Sequence, residues 1–180
     1  MNARIEKALN DLDHALEQLF KELEAYPDDL LNEPAPDGGW SVNQVLSHLL
    51  LAEDLSLKYV QKKLSYNPTL KKAGWRDQYR RFLLTLYLYA PFKFKAPKTL
   101  NSDHLPEKSS LADIRKNYEK VRAQTRAFFE SAPDDLLIKE VYKHPFAGRL
   151  SLMGMLHFEK IHLARHTQQI RKTLRALKTA

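Results

Sequence analysis

The sequence predicts an all-α protein, a four-helix bundle with a long crossover between its second and third helices. Three observations predict it. Apolar residues recur at three- and four-residue steps in four long segments. Only 5 of 180 residues are glycine, and Leu, Lys, Glu and Ala are abundant, which favours helix. The breaks carry helix-stop chemistry, Pro27-Asp28-Asp29 and Pro133-Asp134-Asp135.

The first helix is expected from about Asn2 to Tyr26, with Ile5, Leu9, Leu12, Leu16, Leu19 and Leu23 on one face. A loop rich in Pro, Asp and Gly follows, Glu33 to Gly39. Ser41 reads as an N-cap, its hydroxyl accepting from first-turn N–H groups. The second helix runs from there to about Leu64, with Val42, Val45, Leu46, Leu49, Ala52 and Leu55 as its apolar stripe.

Arg76 to Ala90 reads as a short helix ended by Pro91. Phe92 to Pro97 alternates like a strand but has no evident partner, and is expected as extended loop. A connection of this length crosses a bundle or covers a site. The aromatic, basic stretch from Gly74 to Lys98 either lines a substrate pocket or makes a subunit contact.

The third helix starts at Ser109 or Ser110 and runs to about Ser131, on a stripe of Leu111, Ile114, Tyr118, Val121, Thr125 and Phe128. The segment containing Lys143 to Gly148 reads as a loop. Ser151 caps the fourth helix, expected to about Leu177. Pro-Asp-Asp-Leu-Leu occurs at residues 27–31 and again at 133–137, each time followed by a loop, a Ser N-cap and a His-bearing helix. The chain therefore reads as two helical hairpins of similar plan.

Composition is that of a globular chain, 43% hydrophobic and 28% charged, so a single domain over residues 1–180 is expected. No segment has the length and apolarity of a bilayer span, and residues 1–7 lack a signal-type apolar core. A soluble cytoplasmic protein is therefore expected; the lack of cysteine does not identify the compartment but suits a reducing cytosol, and any transition-metal site must use His and carboxylate. Net charge is +7. The Lys and Arg residues read as spread over all the helices, which assigns the surplus to solvated faces rather than to nucleic acid.

His162 and His166 lie four residues apart on the fourth helix, hence on one face, one turn apart. Two imidazoles so placed reach one metal ion, and a third ligand must come from another element. His48 is the candidate, three residues after Val45 and four before Ala52, near the buried face of the second helix. A lone His there is ordinarily a satisfied core residue; pairing with His162 and His166 makes it a ligand. Three imidazoles leave positions open for water or substrate, and zinc and nickel both suit three nitrogens. Glu159 and Gln169 fall on the same side, three residues before His162 and three after His166. Either is placed to orient an imidazole from outside the ligand set, and Glu159 reads equally as a base or as half of a surface salt bridge. His157 reads as structural, His144 as a loop tie, and His14 and His104 as exposed. No Gly-rich phosphate loop and no Ser-His-Asp arrangement is present.

Trp40-Ser41-Val42-Asn43-Gln44-Val45-Leu46-Ser47-His48-Leu49 resembles the start of the second helix in the DinB-like superfamily. His162-x-x-x-His166-x-x-Gln169-Ile170 resembles its last-helix motif, and His144 to Ser151 its lead-in. The resemblance covers the whole chain. It implies a bundle of up-down-down-up type, often a homodimer, with a divalent metal on the residues matching His48, His162 and His166. That superfamily includes bacillithiol S-transferases, a mycothiol-dependent isomerase and metal-dependent hydrolases; DNA binding is not a family trait. The expectation is therefore a metal-dependent enzyme joining a small-molecule thiol, or water, to an electrophilic substrate, with no nucleic-acid or membrane partner. The alternative is a non-catalytic metal-binding dimer acting in interaction or stress response.

Overall fold

The computed structural model describes residues 2–90 and 104–179. Four long helices form the bundle: α1 (Ala3–Leu23), α3 (Val42–Ser65), α5 (Leu111–Ser131) and α6 (Leu152–Lys178). Two shorter ones lie between them, α2 (Asp28–Asn32) and α4 (Trp75–Tyr89). A hairpin of β1 (Glu140–His144) and β2 (Gly148–Ser151) leads into α6.

Local chemistry sets the helix starts. The side chains of Asn2, Ser41, Ser110 and Ser151 each accept a hydrogen bond from a first-turn N–H, relieving donors that have no intrahelical partner. Ser41 and Gln44 cap reciprocally, the Gln44 side chain accepting from Ser41 N at 3.0 Å. Both Pro-Asp-Asp-Leu-Leu segments fold alike, into short helical turns that bury the second leucine, Leu31 as part of α2 and Leu137 in a 3₁₀ turn over Leu136–Ile138.

The expected stripes form the core, except that Leu55 of α3 is exposed because it lies off the face that α3 buries. Ile5, Leu9, Leu19 and Leu23 of α1 pack with Val45 and Leu46 of α3 and Met155 and Leu156 of α6, all nearly or fully buried. Each such side chain contributes on the order of 2 kcal/mol of burial. On α5 the stripe ends on Phe129 rather than Phe128, which is only partly buried.

Side-chain pairs fix the helix directions. Arg115 reaches Glu17 and Glu24 while Arg126 reaches Asn10 and Asp13, so α5 runs against α1. Asn43 meets Ser109 O and Glu53 meets Arg122, so α3 runs with α5. Lys160 pairs with Asp11 and Arg171 with Glu22, so α6 runs with α1. The α3–α5 connection must return the chain to the end where α3 began, and it carries α4.

The hairpin corrects the reading of Lys143 to Gly148 as loop. Its turn needs φ +74° at Gly148, where a side chain would be strained, and the short strands lack a long alternating run. Residues 71–73 pair with 138–140 (Ala73 N to Ile138 O, 2.7 Å; Glu140 N to Lys71 O, 2.9 Å), which ties the start of the crossover to the hairpin. The expected extended segment from Phe92 to Pro97 lies outside the described residues.

Candidate metal centre

Capping at Ser41 starts α3 so that Val42, Val45, Leu46 and Leu49 face the core, and His48 is carried inward with them. Asp77 of α4 fixes the start of α6, accepting from Ser151 N at 2.8 Å and from Ser151 Oγ at 3.1 Å. Gly154 permits this, since a Cβ there would meet Asp77 Oδ1 at 3.2 Å and Leu150 Cβ at 2.9 Å. With both ends set, His162 and His166 come round to face His48 across the α3–α6 contact.

The three rings converge on their Nε2 atoms. His48 Nε2 lies 3.3 Å from His162 Nε2, and His162 Nε2 lies 3.1 Å from His166 Nε2. Four-coordinate zinc, at 2.0–2.1 Å from nitrogen, sets its ligands roughly 3.3 Å apart. His166 Nδ1 lies 2.8 Å from Gln169 Oε1, which only accepts, so Nδ1 carries the proton and the Nε2 lone pair faces the cluster. A single Nε2–H on His162 could point at only one of its two neighbours, whereas a central cation satisfies all three nitrogens. The donor set therefore fits a divalent ion.

Burial favours the neutral imidazole at His162 and His166, the form that binds metal. Loss of solvation pushes His162 well below the usual histidine range, with His166 and His48 adding to it. Burial likewise takes His166 down to about 3, reinforced by His48. His48 and His162 are buried, and His166 is the least deeply enclosed of the three. Trp40 packs on His48 (centroids 4.9 Å apart) and Phe158 stacks on His162 (4.9 Å, 22°), fixing ring orientation.

Of the two expected supporting residues, Gln169 makes its contact and Glu159 does not. Glu159 is buried with neither carboxylate oxygen hydrogen-bonded. It lines an internal cavity of about 20 Å³ with His162, Glu53, Arg122, Tyr118 and Leu16. That volume admits one water, which could bridge the carboxyl to its neighbours. Burial raises Glu159 well above the usual carboxylate range, Glu53 adds to this, and Arg122 only partly offsets it. Burial thus favours the protonated acid, the form that cannot accept a proton as a base would.

His144 ties its turn as expected, Nδ1 accepting from Phe146 N (3.2 Å) and Ala147 N (3.1 Å). His157 lies 2.8 Å from Thr85 Oγ1, whose hydroxyl donates to Arg81 O, so His157 Nε2–H is the donor that fastens α6 to α4. His14 and His104 are exposed. Sequence reading missed the buried ion cluster beside the site. Arg122 donates to Asp13 (2.7 Å), Glu53 (2.8 Å) and Leu9 O (3.2 Å). The available signal was Glu53, a carboxylate immediately after Ala52 on an apolar stripe.

These features define a class: a helical bundle with three histidines gathered from two core helices so that they could hold a metal ion. The family profile of the DinB superfamily matches residues 5–170, and the chain belongs to that superfamily. Two solved structures share the fold. One is TT2238, a four-helix bundle protein, at 19% identity and TM-score 0.57, covering 93% of this chain and 98% of that one. The other is YfiT from Bacillus subtilis, described as "a probable metal-dependent hydrolase with an unusual four-helix bundle topology", at 16% identity and TM-score 0.58, covering 97% and 89%. No curated protein matches the chain. Among the described residues no helix is long and apolar enough to cross a membrane.

Proposed function

We propose that this protein is a metal-dependent enzyme in which His48, His162 and His166 hold a divalent ion, zinc or nickel. The observation that carries this is the convergence of three imidazoles, with His162 Nε2 lying 3.3 Å from His48 Nε2 and 3.1 Å from His166 Nε2. When bound, the ion supplies the Lewis acidity that makes a water or a small thiol nucleophilic near neutral pH. The reaction is either transfer of a low-molecular-weight thiol of the bacillithiol type to an electrophile, or hydrolysis. Family membership and the description of YfiT support this reading.

The chain's own groups supply the rest. Gln169 holds His166 in the ligating tautomer, and Trp40 and Phe158 keep the rings in place. The charge of Arg165 bears on both His162 and His166, a positive potential suited to an anionic substrate.

Metal content of purified protein tests the site, with His162→Ala as comparison. The expected result is bound ion in the wild type and loss in the variant. Conjugation assays with several small thiols and electrophiles, with the metal-free protein as control, test the reaction. Wild type that stays metal-free under replete conditions sinks the proposal; bound metal without thiol transfer or hydrolysis moves the reading to a non-catalytic dimer.

A further inference from the structure

α4 is apolar on two opposite sides. Its inner side buries Asp77, Leu84 and Leu88. Its outer side carries Trp75, Tyr79, Phe82, Leu86 and Tyr89 at alternating steps of four and three, a single straight stripe on a helix. These five side chains are 71, 54, 58, 54 and 55% exposed. A ridge of this kind on a soluble surface marks an interaction site.

The helix is also firmly seated. Arg80 donates to Arg149 O at 2.8 Å, His157 is bonded to Thr85, and Arg165 donates to the carbonyls of Leu88 and Ala90. The stripe is therefore a fixed feature of the fold.

Charge is concentrated here, contrary to the even spread first read from the sequence. Residues 67–90 contain five Lys and Arg and one acidic residue, Asp77, a net +4 of the chain's +7. Lys71, Lys72 and Arg76 are exposed beside the ridge, and Asp77 is buried.

We propose that the outer face of α4 docks on an anionic lipid surface. Trp, Tyr, Phe and Leu on one side, flanked by cations, are what a helix lying in the headgroup layer requires. A second copy would bring two such positive segments together, which opposes pairing through this face. Nucleic acid stacks bases on aromatic rings, but Leu86 interrupts the ridge between Phe82 and Tyr89, and retention of nucleic acid is an outcome of the test. The expectation of no membrane partner rested on the lack of a spanning segment, which does not bear on a helix lying on a surface.

Co-sedimentation with phosphatidylcholine vesicles, with and without about 30% phosphatidylglycerol, at about 0.15 M salt, tests this. Partitioning at least about tenfold stronger onto the anionic vesicles is expected. Trp75→Ala with Phe82→Ala and Leu86→Ala should lower it by about tenfold or more with the helical signal retained. Lys71→Gln with Lys72→Gln and Arg76→Gln should remove the preference for anionic lipid. Should the apolar variant fail to fold, Trp75 emission decides: a blue shift with anionic vesicles that Trp75→Phe abolishes supports the proposal. No shift, or equal binding to both vesicles, overturns it. So does a dimer that the apolar variant dissolves, or nucleic-acid retention at the same salt, when vesicle binding is absent.

Discussion

His166 Nδ1 sits 2.8 Å from Gln169 Oε1, and this bond decides which nitrogen of the ring is free to bind a metal. The residues are one helical turn apart, so α6 itself supplies the geometry. Gln169→Leu removes the acceptor without removing a ligand. Metal affinity, measured by chelator competition, should fall about tenfold or more while the fold is kept. Unchanged affinity would mean that ring packing alone fixes the tautomer.

Arg122 is nearly enclosed by Glu53, Asp13 and the carbonyl of Leu9. Arg122→Met should cost about 3 kcal/mol or more in denaturant unfolding, because it strands a buried carboxylate. Adding Glu53→Leu to that variant should recover part of the loss. A double variant no more stable than the single would show that the cluster's value lies in packing.

Glu159 is raised above the unfolded carboxylate range, so the folded state holds its proton where the unfolded state has lost it. The sign follows from proton uptake: this group's contribution is full below the unfolded pKa and is lost as pH rises above it. Glu159→Gln keeps the shape and cannot ionise. Its stability advantage over wild type should grow steadily as pH rises from about 5 to about 8. A constant difference across that range would place Glu159 in an environment that leaves it ionised.

Burial takes His144 down to about 4, from 6.5. Here the unfolded chain takes up a proton first, so stability is lost as pH falls from about 6.5 toward about 4. His144→Asn places an oxygen near the position of Nδ1 and does not titrate. Between pH 7 and pH 5 the variant should lose about 2 kcal/mol less than wild type. Parallel unfolding curves for the two proteins would remove His144 from the acid response.

The sequence by itself determined the four long helices and the three histidines. Core helices announce themselves locally: Ile5 to Leu23 repeat with the helical period, Ser41 and Ser151 cap, and Pro-Asp-Asp stops. His48, His162 and His166 were legible because each sits on such a stripe, where position along the helix fixes direction. Tertiary structure alone decided three other matters. The hairpin at β1 and β2 is too short to show a period and exists because residues 71–73 and the start of α6 meet it. Glu159 lies on the same face as its histidine neighbours, yet Arg122 comes from α5 and is taken by Glu53 and Asp13, leaving that carboxyl without a partner. On α4 every apolar residue looked alike in sequence, and only packing against α6 and β2 separated Leu84 and Leu88 from the ridge of Trp75, Phe82 and Tyr89. Helical period gives direction around an axis, but which direction is inside depends on what the other helices bring.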